Sequence, residues 1–142
     1  MANATEKLVT NRSLGKMILL GIVTLGIYPT IAMSKMVHEL NLAAFPRDGK
    51  IQLSPTEASP LFAISFTIYY FVYMHQYMNR LRDELQARKI SYYISASNFW
   101  IFDVLLGWTI VCPLVLMYKI IKAQNLINAN YNTASTGNEI EK

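Results

Sequence analysis

Asp103 is the one acid inside a hydrophobic stretch of this 142-residue chain, and no other residue offers as much chemistry. A carboxylate kept among apolar side chains can relay protons or bind a cation, since some partner or pathway must offset the cost of holding it there. Two other groups stand on similar ground. Tyr69, Tyr70, Tyr73 and Tyr77 give one stretch a file of hydroxyls suited to a polar crevice, although anchoring and packing use tyrosine equally well. Ser59, Ala63 and Thr67 form a small-x3-small row. That spacing lets helix backbones approach closely in lipid, within one bundle or between copies in a homo-oligomer. His75 and Gln76 follow near the polar end of the same stretch and read as interfacial. Asp103 has a plain reading too. It lies four residues after Phe99, about 6 Å along a helix rising 1.5 Å per residue. There a carboxylate faces the headgroups and complements a helix N-terminus.

Other chemistries are absent from the sequence. It holds no P-loop or Rossmann glycine pattern and no H-E-x-x-H zinc helix. No candidate nucleophile has a base at motif spacing. Cys112 is the only cysteine, which excludes an intramolecular disulfide and a thiolate metal cluster. The residues therefore point to no catalytic group, no metal and no cofactor. The net charge of +4 is spread over segments flanking hydrophobic runs. It suits anionic lipid headgroups better than nucleic acid.

The elements that must carry these residues are hydrophobic. Apolar residues make up 53% of the chain and charged ones 15%, against about 25% charged in soluble domains. Three runs, 17–33, 61–78 and 99–118, hold no charged residue apart from His75 near the end of the second and Asp103 in the third. Each falls within the roughly 17–25 residues that a membrane helix needs. The expected fold is all-α and integral to the membrane, with three hydrophobic helices. A cleaved signal peptide accounts poorly for the first run, because its basic flank (Lys7, Arg12, Lys16) is long, contains Glu6 and precedes two further runs. Gly26 and Pro29 in the first run, and Gly107 and Pro113 in the third, leave room for a bend and a re-entrant path.

A weak internal repeat organises the runs. Shifting residue numbers by 84 aligns Pro29 with Pro113, Met33 with Met117, Lys35 with Lys119, Asn41 with Asn125 and Leu42 with Leu126. A shift of 41 aligns Ile27, Tyr28, Met33 and Leu40 with Ile68, Tyr69, Met74 and Leu81. Self-similarity of this kind marks one supersecondary unit used repeatedly. Each unit continues past its hydrophobic run as an amphipathic helix. The stripes are Met33, Met36, Val37, Leu40 and Ala44; Met74, Tyr77, Met78, Leu81 and Leu85; and Met117, Ile120 and Ile121. Such stripes pack on one another or lie in the headgroup layer, with lysines and arginines snorkelling to phosphates.

Turn signals punctuate the units. Asp48-Gly49 reads as a turn, and Ser54-Pro55-Thr56-Glu57 as a capping box. Tyr92, Tyr93 and Trp100 read as interfacial aromatics. Residues 1–12 and 132–142 are expected to be flexible ends around a helical membrane domain at 13–131. With three crossings, seven Lys/Arg fall on one side and six on the other, so the positive-inside rule gives almost no asymmetry; the N-terminus is placed in the cytoplasm.

The stretches "TLGIY" at 24–28, "ELN" at 39–41, "DGK" at 48–50 and "SP" at 59–60 resemble a family of small bacterial membrane proteins grouped as a domain of unknown function. Its T-x-G-I-Y pattern falls here on Thr24, Gly26, Ile27 and Tyr28, and Pro29 follows where the family often places aromatic residues. The likeness spans about residues 13–131 and implies the bacterial cytoplasmic membrane without an activity. The expectation is a non-enzymatic, multi-pass membrane protein acting through lipids, a protein partner or a homo-oligomer. The alternative is a small transporter or oligomeric pore with Asp103 on the permeation path.

Overall fold

The structure, a computed structural model, describes the backbone of residues 7–25, 27–57 and 59–140, and the side chains of these except 59–68 and 136–140. Helices alone occur among the described residues: α1 (Leu14–Val23), α2 (Ile27–Asp48), α3 (Ser59–Ala87), the short α4 (Ala96–Phe99), which runs on as a π-helical turn (Trp100–Leu105), and α5 (Val111–Ile140). No helix among them is long and apolar enough to cross a membrane. The expectation of three membrane-crossing helices is corrected accordingly, although the second run, 61–78, does lie within the single helix α3. The first run breaks between α1 and α2, and the third between the π-turn and α5. Of the second run, the side chains of 61–68 lie outside the described residues.

α2, α3 and α5 run in one direction. Glu39 on α2 meets Asn128 on α5, and four residues further down α2 the Ala43 carbonyl shares Arg88 with Asn130. Tyr77 on α3 meets Gln124, and further down the same two helices Arg88 meets Asn130. These three helices are the repeated units of the sequence. α1 packs against α2, and α4 with its π-turn packs against α3 and α5. The result is two helical hairpins beside one long helix.

The core is built from the amphipathic extensions, not from the hydrophobic runs. Met36, Val37, Leu40 and Ala44 of α2 are buried against Met74, Tyr77, Met78, Leu81 and Leu85 of α3 and Ile120 and Ile121 of α5. Met33 and Met117 sit half-buried at its edge. Each Met, Leu or Ile enclosed this way contributes about 1.5–3 kcal/mol relative to exposure. The stripes pack on one another, the first of the two alternatives that amphipathic helices offer.

Helix ends follow local chemistry. Gly49 at φ +62 ends α2, its N–H bonding the Phe45 carbonyl at 2.9 Å. Lys89 at φ 55 ends α3 with the paired bonds Ile90 N–H to Leu85 O and Lys89 N–H to Gln86 O, a Schellman motif without its usual glycine. The Ser54–Glu57 box forms: the Ser54 N–H donates to the Glu57 carboxylate at 2.8 Å and the Glu57 N–H to Ser54 Oγ at 3.4 Å.

Candidate functional site

Thr24 makes the first hairpin. Its hydroxyl donates to the Leu20 carbonyl at 2.6 Å, closing α1, and accepts from the Tyr28 N–H at 2.9 Å, opening α2. Leu25 takes the left-handed conformation (φ 50) between them. Pro29 is the third residue of α2, where a missing N–H costs nothing. Its ring lies against Gly21, where an added Cβ would stand 2.9 Å from Pro29 Cγ. Four of the motif residues singled out in the sequence thus build or flank one tight turn; Gly26 lies outside the described residues. The outside of this turn is apolar: Ile22, Val23, Leu25 and Ile27 are exposed, Leu25 to 93%.

The second hairpin reaches a similar end by other means. Its ascent widens into a π-turn, and Gly107 approaches so closely that a Cβ there would lie 1.9 Å from the Asp103 carbonyl oxygen. Thr109 then bonds the Leu106 carbonyl through its hydroxyl at 2.7 Å. Pro113 is the third residue of α5, matching Pro29 in α2. Trp108 (83% exposed), Ile110 (81%) and Val111 cover its outside. Asp103 lies on the ascent, half-buried, and its carboxylate accepts a 2.8 Å hydrogen bond from Tyr70 of α3. Asp103 and Thr24 belong to different hairpins. The side chains of Ser59, Ala63 and Thr67 lie outside the described residues.

Lysines follow beneath both hairpin ends. Lys35 and Lys119 occupy equivalent repeat positions, six residues after Pro29 and Pro113. Lys119 lies 5.6 Å from the Phe102 ring, and Lys122 lies 5.1 Å from that of Tyr92. Lys16 and Lys35 flank an open cleft of about 190 Å³ between α1 and α2. Lys122 flanks another of about 520 Å³ between α1 and α5.

Below the lysines, charge is internal and paired. Arg12 grips Glu39 with two 2.6 Å bonds, and Asn128 donates to the same carboxylate at 2.7 Å. Gln124 links Asn128 to the Tyr77 hydroxyl. Burial drives the Tyr77 phenol far above its ordinary pKa, the neighbouring Tyr73 adding to the rise, so it stays a hydrogen-bond donor. Glu84 is shared by Arg47 and Arg88. Asp48 pairs with Arg80: burial pushes its carboxyl up, but the Arg80 hydrogen bond, the Lys50 N–H and the charges of Arg80 and Arg47 hold it below the usual value. Of the residues lining the 580 Å³ cleft here, Arg47, Asp48 and Arg80 are committed to these pairs.

Asparagines complete this end. Asn125 pairs with the Arg12 backbone through both N–H and carbonyl (3.3 and 3.0 Å), and Asn132 does the same for Leu8 at 2.8 Å. Asn41 holds the Gln52 backbone in the same two-bond manner (2.8 and 3.0 Å). The repeated asparagine therefore clamps an extended segment in the first and third units. Against the expectation of a flexible terminus at 1–12 and a helical domain ending at 131, Leu8 is 5% exposed on α5, which runs to Ile140. The spacing of Asn125, Asn128 and Asn132 along one helix face was the available signal.

No group of three or more His, Cys, Asp or Glu side chains able to hold a metal occurs among the described residues. The model of a family described as a domain of unknown function (DUF4234) matches residues 12–83, from the end of the clamped arm through most of α3. No curated protein matches the chain, and no solved structure does.

Proposed function

The chain belongs to the DUF4234 family of unknown function, and we propose that it is a non-enzymatic protein embedded in a membrane by its two hairpin ends. In this reading the bundle of paired charges stays in the aqueous phase, and the protein acts through lipids or a protein partner held there. The cytoplasmic membrane of a bacterium is the proposed location. The observation that carries the reading is the exposure of large apolar side chains at both turns, Leu25, Trp108 and Ile110 above all. In water each such side chain forgoes about 1.5–3 kcal/mol of burial. Contiguous exposed apolar surface of this kind marks an interaction site. Lysines immediately below match anionic headgroups and select lipid as the covering phase.

Two entering hairpins take the place of the first and third crossings read from the sequence, since a chain that turns back at Leu25 and at Gly107 has no continuous apolar helix there. A test uses single cysteines in a Cys112→Ala chain. Leu25→Cys and Ile110→Cys, labelled with an environment-sensitive fluorophore, should shift to the blue on anionic vesicles and be quenched by lipid-borne nitroxide. Lys50→Cys should do neither. An aqueous signal from both turn positions would overturn the proposal.

A further inference from the structure

We infer that the protein is a one-leaflet wedge, binding strongly curved anionic bilayers in preference to flat ones and bending flat ones at high coverage. This rests on the membrane reading above and adds depth and shape to it. Lys35 and Leu25 are ten residues apart, as are Lys119 and Thr109. At 1.5 Å per residue both spans are about 15 Å. The hydrocarbon core of a bilayer is about 30 Å thick, so each hairpin reaches its middle and stops. The lysines set that depth, since an ammonium at the phosphate level resists being drawn further in.

Both hairpins enter from one side, because α2 and α5 leave their turns in the same direction. Their volume is therefore added to one leaflet only. The bundle below cannot follow them, as it carries charge on its surface: the Arg82 and Asp83 side chains are 37% and 46% exposed, and Lys50 and Lys89 are exposed as well. Expanding one leaflet against an unchanged partner bends the bilayer toward the protein. Conversely, a bilayer already bent that way has packing gaps that admit the hairpins at lower cost.

The full-length chain is tested by flotation with vesicles of one composition, neutral phosphatidylcholine with anionic phosphatidylglycerol, either sonicated small or extruded large, at equal lipid area. Binding should be severalfold higher on the small vesicles, and electron microscopy should show large vesicles drawn into tubules at high protein loading. Leu25→Ser with Ile110→Ser, both at exposed positions, should lose the size preference while keeping native helicity and melting temperature. Firm insertion without size preference or tubules overturns the wedge and leaves the membrane reading standing. Binding to neither vesicle overturns both.

Discussion

At one end of the bundle Glu84, with two arginines on its carboxylate, is 2% exposed; at the other, Leu25 and Trp108 stand 93% and 83% exposed. Charge is inside where apolar residues would ordinarily be, and apolar residues are outside where charge would ordinarily be. The difference follows from what each end must do. The lower end holds three parallel helices together, and its ions are fixed by partners on different segments: Arg12 of the clamped arm to Glu39, Arg47 to Glu84, Arg80 to Asp48. The upper end holds two turns beside the start of α3, each turn closed largely by contacts within its own hairpin. The interlocking ion pairs are therefore concentrated below, and exposed apolar surface above.

Substitutions can break that division, and the largest effect belongs to the lower end. Glu39→Ala strands the Arg12 guanidinium and an Asn128 donor in the interior. Loss of one partner of a buried pair costs about 3–5 kcal/mol, and chemical denaturation should record it. Gly107→Ala comes next. Its methyl would meet a backbone carbonyl that no rotamer change can move, and overpacking of this sort costs about 1–3 kcal/mol. It should disorganise the second turn and spare the first, visible as a change in Trp108 fluorescence with label at Leu25→Cys unaffected.

The clamps sharpen the comparison at a smaller scale. Asn41→Ala and Asn125→Ala each remove two backbone partners, for a net loss of about 1 kcal/mol per hydrogen bond, and hydrogen exchange should rise at Gln52 and Arg12 respectively. The pH dependence of Asp48 has a definite sign. Its carboxyl is held below the unfolded value, so its contribution is complete above the ordinary carboxylate range and disappears as pH falls through the lowered value. Asp48→Asn should flatten that acid limb of stability. Leu25→Ser should change stability by under about 0.5 kcal/mol while weakening vesicle binding.

The stripes of α2, α3 and α5 were legible because 3.6-residue periodicity survives in any solvent, and those residues form the core. The repeat was legible for the same reason, and its polar positions have structural duties: Asn41 and Asn125 clamp, Pro29 and Pro113 start helices. What the sequence could not disclose is where a hydrophobic run turns. Length and charge register 17–33 as one segment, whereas the break depends on one threonine hydroxyl serving two helices and on a leucine in a left-handed conformation. Gly107 and Pro113 advertised a bend, but the fit of Gly107 against the Asp103 carbonyl is a matter of packing. The Arg12–Glu39 pair joins residues 27 apart in sequence, and no spacing rule connects them.

The clasp of the first residues by the last helix sets an order of assembly. Leu8 and Arg12 lie more than a hundred residues from the asparagines that receive them. Residues 8–12, synthesised before α5, have no seat until that helix is complete, so both hairpins can form while the other end is still unlatched. A chain truncated after residue 83, where the family match ends, would keep the first turn and lose the latch.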